Sequence, residues 1–218
     1  MYNKIPKIRI VIPDRNDRPV FLDRCMKMIA RQTLKPASIH LVNYKPKSNE
    51  KDITQRYKHG YEEASKNECD VIAFIENDDW YSDKYLESMY AAWVENNRPD
   101  IFGTDKTIYY NLNLKAWKVM NHVHRSSAMS TFIKPNLKFD WCADNDPYTD
   151  IHLWRTLEGK THNFEPPICL GIKHGVGLCG GALHVDRLHQ YVNEDKELKQ
   201  LEKWVDSDSF DFYKGLVS

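Results

Sequence analysis

Residues 70–75 (DVIAFI) form an almost unbroken apolar run that stops abruptly at Glu76-Asn77-Asp78-Asp79. A strand with one wet face alternates polar and apolar residues. A run without alternation suits a parallel strand covered on both faces. Such a strand needs helices above and below it, and the flanking sequence supplies them. Residues 7–13 (KIRIVIP) read as a β-branched strand ended by proline, and residues 38–43 as a second strand. Pro19 opens an amphipathic stretch with Phe21, Leu22, Cys25, Met28 and Ile29 on one face. Residues 53–66 and 82–95 read as further helices, residues 44–52 as a lysine-rich loop, and residues 101–104 as a fourth strand. Strand–helix–strand repetition implies right-handed crossovers, and hence an α/β fold with an open, mostly parallel twisted sheet flanked by helices.

In such sheets ligands bind beyond the carboxyl ends of the strands. Two polar clusters fall there, Asp14-Arg15-Asn16-Asp17 and Glu76-Asn77-Asp78-Asp79. Packing that much negative charge behind a buried strand is unfavourable unless water or a cation compensates it. Carboxylates suit magnesium or manganese, which complete their shells with substrate phosphates. In extended chain Glu76 and Asp78 point the same way and Asp79 elsewhere. The plainer alternative is a solvated turn in which Asp78 or Asp79 caps the next helix. The position on the ligand rim favours the metal.

The second half is less regular. Residues 107–123 read as a hairpin or extended segment, residues 150–158 as a short helix ended by Gly159, and residues 186–204 as a charged C-terminal helix. Residues 168–181 hold five of the nine glycines and read as a mobile loop. His122 and His124 could bind a metal together if they shared a strand face, although no third ligand is evident. Lys plus Arg (31) equals Asp plus Glu (31), so no global field draws the chain to nucleic acid or an acidic membrane. Lys4, Lys7, Arg9, Lys45, Lys47, Lys115, Lys118 and Arg125 could still form a local basic groove. Residues 1–5 lack a secretory core and no stretch reaches the ~20 apolar residues of a membrane span. Five scattered cysteines without a Cys-x-x-Cys pair fit reduced thiols, so a cytoplasmic protein is expected.

The motifs resemble inverting glycosyltransferase family 2, whose members have the GT-A fold. The similarity lies in Ile10-Val11-Ile12-Pro13, a helix ending Arg31-Gln32-Thr33, a helix with Arg56, Gly60 and Ala64, and Phe74-Ile75-Glu76-Asn77-Asp78-Asp79-Trp80 in place of an Asp-x-Asp motif. Further on, Phe139-Asp140 precedes Asp150-Ile151-His152-Leu153-Trp154-Arg155, similar to the family's landmark and its base-bearing helix. The resemblance implies one GT-A domain over residues 1–218, with a nucleotide-sugar half (1–104) and an acceptor half (105–218). It implies a nucleoside-diphosphate sugar donor, most simply a UDP-sugar, held through Mn2+ or Mg2+ by Glu76, Asp78 and His174. Glu76 stands where the family has aspartate, and it would reach the metal directly or through water. Pro13, Asp14, Arg15, Asn43, Arg56, Asn77 and Lys173 are the implied contacts to the donor.

Inversion needs a base to take the acceptor's proton. Asp150 is the implied base, with Asp144 and Asp146 as rivals. The acceptor is a glycan or another hydroxyl, a hydroxylated base in nucleic acid included. The family's Asp-Asp-Gly-Ser after the second strand is replaced by Val42-Asn43-Tyr44-Lys45. Nucleotidyl transfer would require a glycine-rich loop after the first strand, and Pro13-Asp14-Arg15-Asn16 has no glycine. A degenerate scaffold that binds nucleotide or glycan without turnover is the non-enzymatic alternative.

Overall fold

The computed structural model describes residues 5–46, 50–176, 178 and 184–217. Six strands form the main sheet in the order β2 (Ser38–Val42), β1 (Ile8–Pro13), β3 (Val71–Phe74), β8 (Thr131–Ile133), β5 (Ile101–Gly103), β9 (Gly159–Thr161). β8 runs against both neighbours and the other five run one way. The sheet is thus mostly parallel, as the apolar run of β3 demands. Ile8, Ile10, Ile12, Val71 and Ala73 enter one core, while Val11, Ile72 and Phe74 enter another. Both faces are dry, which explains why these strands lack alternation.

Helices cover each face. α1 (Pro19–Arg31) has its proline in the first turn and buries Cys25, Met28 and Ile29 in the first core, while Phe21 is buried against His174 and Phe212. α3 (Tyr85–Glu95) joins it there, beginning three residues later than the sequence suggests. α2 (Ile53–Ser65) and α4 (Thr149–Thr156) supply Tyr57, Tyr61, Ala64, Leu153 and Trp154 to the opposite core. Gln32 joins the end of α1 to the start of α3. Its Nε2 donates to Ser82 O (2.7 Å) and its Oε1 accepts from Leu86 N–H (2.9 Å).

A second sheet, unforeseen from sequence, runs β11 (Asn193–Glu194), β7 (Ala116–Asn121), β6 (Lys106–Asn111), β10 (Cys169–Lys173), β4 (Trp80–Tyr81). β6 and β7 form the antiparallel hairpin expected within residues 107–123. Residues 169–173 correct the mobile-loop expectation: they are a buried strand between β6 and β4. Gly171 belongs there because a Cβ would lie 2.4 Å from Tyr109 Cδ1. Residues 177 and 179–181 of that stretch lie outside the described residues.

The C-terminal helix expected over 186–204 is also corrected. It is a 3-10 turn (Val185–Gln190), then β11, then α5 (Lys199–Trp204), followed by α6 (Ser207–Gly215). Asp195 breaks the run, since its carboxylate accepts the N–H groups of Gln200 and Leu201 and the Tyr110 hydroxyl. Gly159 starts β9 rather than capping α4, and a side chain on it would strike Trp154 and Ile101. β7 ends at Asn121, so His122 and His124 share no strand face. His122 is buried against Thr107, and His124 is exposed with φ 55°.

Cys25, Cys69, Cys142 and Cys169 are free thiols, and Cys179 lies outside the described residues. Among the described residues no helix is long and apolar enough to cross a membrane.

Candidate active site

Parallel pairing of β1 with β3 brings their carboxyl ends to one rim, so residues 13–18 and 75–79 face each other. Ile75 N–H still donates to Val11 O (3.1 Å), and the chain then leaves the sheet. Two bonds shape the departure. Glu76 N–H donates to the Tyr81 hydroxyl (2.9 Å), and Asn77 Nδ2 donates to Asp14 Oδ1 (2.6 Å), joining the two polar clusters. β4 follows at once and pairs with β10, which returns Ile172, Lys173 and His174 to the same place.

Oxygens of Glu76, Asp78 and Asp79 gather within 4.8 Å of one another. Asp79 does turn towards the backbone, as its Oδ1 accepts Ile172 N–H at 2.7 Å, yet it stays in the cluster. Asp78 is 3% exposed, and its Oδ2 receives the Arg18 guanidinium and faces His174 Nε2 at 3.1 Å. The His174 ring packs on Phe21 of α1, with centroids 4.0 Å apart. The Tyr57 hydroxyl donates to Glu76 Oε1 (3.2 Å).

Each carboxyl titrates according to its surroundings. Burial opposes ionisation of Asp78, but the His174 hydrogen bond and the Arg18 charge outweigh it and hold the group well below the usual range. Burial, with repulsion from Asp78, pushes Glu76 up to about 7. Burial pushes Asp79 well up too. Three carboxyl groups thus share one buried pocket in which only Asp78 is held ionised by its neighbours. Asp79 Oδ2 and Asn77 Oδ1 are buried with no partner. An all-oxygen set with an orphaned carboxylate oxygen fits a hard divalent cation.

Two recesses meet at Glu76. One is lined by Pro13, Arg15, Arg18, Arg56, Asn77 and Asp78, and the other, about 330 Å³, by Asp79, Tyr109, Ser127, Asp150 and Lys173. Asp150 stands in the first turn of α4, where Arg125 Nη1 donates to its Oδ2 at 2.8 Å. Burial raises the Asp150 pKa and Arg125 opposes the rise. Asp146 instead accepts Tyr148 N–H (2.8 Å), and Asp144 lines a separate recess beside Tyr44. Of the three acids, Asp150 alone lines the cavity with Glu76.

The other expected contacts divide by place. Arg15 is held by Asp52 (2.6 Å) at the edge of the first recess. Arg56 is fully buried. Its Nε and Nη2 donate to Asp52 (3.0 and 2.8 Å), its Nη1 to the carbonyls of Val42 and Asp14, and its plane lies over Tyr44 (4.0 Å). It lines the recess while bracing the rim. Asp14 lies beneath, its second oxygen accepting Asn16 N–H (3.1 Å). Asn43 is exposed and lines neither recess. Lys173 lines the second recess and not the first, its Nζ 5.0 Å from the Tyr109 ring centre. Of the aromatic residues in the hairpin, Tyr109 lines the cavity, whereas Trp117 packs edge-on against Trp204.

Of the basic residues considered for a groove, Lys7 pairs with Glu68, Lys118 is buried beside Tyr109 and Tyr191, and Arg125 holds Asp150. Lys4 and Lys47 lie outside the described residues. Sequence reasoning missed Arg18 and Tyr57, and offered Arg125 for a basic groove rather than as the partner of Asp150. Arg18 had a signal, as the residue before a helix-opening proline on the ligand rim, whereas Arg125 is 25 residues from its partner and had none.

No known family profile and no curated protein matches the sequence. Solved structures do match the fold. S. aureus TarS 1–349 in complex with UDP-GlcNAc is similar at a TM-score of 0.54 and 12% identity, over 82% of this chain and 62% of that one. A second S. aureus TarS structure is similar at 0.50 and 10%, over 78% and 37%. The chain thus spans less than two thirds of either structure's length. At such identities the likeness is one of fold, and the chain has a glycosyltransferase-like α/β fold.

Proposed function

We propose that the protein is a metal-dependent inverting glycosyltransferase, residues 1–218 forming a GT-A domain that moves a sugar from a nucleoside diphosphate to an acceptor hydroxyl. The observation that carries this is the meeting of the two recesses at Glu76. One side offers arginines and Asp78 for a diphosphate, and the other offers Asp150 for an acceptor. The fold likeness to a protein solved with UDP-GlcNAc supports a UDP-sugar as donor.

Glu76, Asp78 and the unpaired oxygen of Asp79 would hold the cation, and His174, which now bonds Asp78, would join them only by giving up that bond. Bound there, Mn2+ or Mg2+ supplies charge stabilisation to the departing diphosphate. Asp150 takes the acceptor's proton. Its raised pKa makes it a stronger base than a free aspartate, and Arg125 keeps enough of it ionised to act. Arg15 and Asn77 orient the diphosphate, while Arg56 and Asp14 keep the two strand ends at the right separation. Lys173, over Tyr109, fixes the acceptor side. Glycan hydroxyls are the preferred acceptor class, since Lys7, Lys118 and Arg125, which a nucleic-acid groove would draw on, are internally paired or buried.

The test is release of nucleoside diphosphate from a panel of nucleotide sugars, with Mn2+, Mg2+ or chelator. Metal-stimulated release from one donor, lost in Asp78→Ala, is expected. Binding of a nucleotide sugar without release under any acceptor or metal would instead mark a binding module.

A further inference from the structure

Arg18 stands where the acidic cluster's cation belongs. Its Nη1 bonds Asp78 Oδ2, the same oxygen that faces His174, and Asp78 is almost wholly buried. An unpaired carboxylate there is costly, so the guanidinium keeps it charged when no other cation is present. A metal ion placed on that oxygen must first displace Arg18.

The side chain is placed to leave. Arg18 is the N-cap of α1: its carbonyl accepts the N–H groups of Phe21 and Leu22, while its side chain makes no capping bond to the helix. Its Nε lies 3.4 Å from Asp17 Oδ1, a carboxylate 42% exposed, so a second anion waits on the solvent side. Arg18 also lines the recess that holds Arg15 and Asn77, where the diphosphate is expected. A guanidinium matches phosphate oxygens in planar pairs.

We infer that Arg18 is a displaceable counter-ion of Asp78 that makes metal binding conditional on the donor's diphosphate. The inference rests on the metal reading of the cluster proposed above. Metal alone competes with Arg18 for a buried carboxylate. Diphosphate alone draws Arg18 away and strips Asp78 of its cation. Bound together, the diphosphate takes Arg18 and the metal takes Asp78, so each ligand removes the other's cost and the coupling is reciprocal.

Calorimetric titration of Mn2+ with and without UDP tests this in the unaltered protein and in Arg18→Gln, Arg15→Gln and Asp78→Asn. The expected result is weak Mn2+ binding alone and tighter binding with UDP in the unaltered chain. Arg18→Gln should bind Mn2+ about tenfold more tightly without UDP, and the UDP effect should shrink by a similar factor. Arg15→Gln removes an equal charge from the same recess but touches Asp52, so it should weaken UDP without tightening Mn2+. If the glutamine variant does not fold, Arg18→Lys serves, with coupling expected between the two.

The inference is overturned if Mn2+ binding depends on Asp78 but Arg18→Gln leaves the coupling unchanged. It is also overturned if Arg15→Gln tightens Mn2+ as much as Arg18→Gln does. If Mn2+ binding is absent or indifferent to Asp78→Asn in every variant, with and without UDP, the metal reading itself fails and the inference falls with it.

Discussion

Asp150 and Arg125 are far apart in sequence, yet the carboxylate at the start of α4 meets the guanidinium at 2.8 Å. Burial and this arginine act in opposite directions on the acid. Removing the cation makes the anion less favourable, so the pKa of Asp150 rises. In Arg125→Gln the acidic limb of the pH dependence of kcat/KM should therefore move to higher pH, with KM for the nucleotide sugar little changed. Asp150→Asn should lower kcat by about 10²–10⁴-fold. A pH–rate profile of both variants reads these effects, and an unshifted limb in Arg125→Gln argues against Asp150 as the base. Asp14 and Arg56, expected from sequence to touch the donor, were legible as rim residues. Their bracing bonds were not, because hydrogen bonds between strands leave no trace in linear order.

At the scale of elements, the spacing of Arg56, Gly60 and Ala64 has a physical explanation. Four residues apart on α2, they share the face turned to β1 and β2. Arg56 binds the ends of both strands, Gly60 permits close approach, and Ala64 is fully buried. A Cβ on Gly60 would lie 2.3 Å from Val11 Cγ1 and 3.0 Å from Val42 Cγ2. Gly60→Ala should therefore destabilise by ~1–3 kcal/mol through overpacking, although alanine is the better helix former. Urea unfolding measures it, and a gain in stability would mean α2 lies farther from the sheet. β1, β3 and the first three helices were readable because apolar period and helix-start signals agree there. β10 was not, because its short apolar run (CLGIK) is followed by four glycines between 175 and 181 that give the whole stretch a loop-like composition. The C-terminal run misled for the opposite reason: its charges suit a surface helix, and only the capping by Asp195 breaks it.

Across the whole molecule, the paired sheets put buried titratable groups of opposite tendency into one structure. Burial lowers His122 to about 4 and His184 to about 3. Both stay neutral in the folded chain while the unfolded chain takes up protons, so their contribution to stability is present above pH ~6.5 and lost as pH falls below it. Glu76 and Asp79 act in the opposite sense, since their raised pKa values favour the folded form as pH falls. The net slope mixes the two, and a variant separates them. His122→Gln should lose about 1–2 kcal/mol less than the unaltered protein between pH 7.5 and 5. Parallel denaturation curves at the two pH values check this, and equal losses would mean that His122 is protonated in the fold. The sheet order that places His174 beside Asp78 joins residues 96 positions apart, a pairing the resemblance implies and the β4–β10 register brings about.

Where the cation sits decides whether the acidic cluster is a metal site. A crystal grown with Mn2+ and UDP, with diffraction recorded at the manganese absorption edge, locates it directly. The account predicts one strong anomalous peak within coordination distance of Asp78 and of the UDP diphosphate, with Glu76 and His174 at its edge and Arg18 turned away. Ordered UDP with no anomalous peak at Asp78, or with the Arg18–Asp78 pair intact, would contradict it.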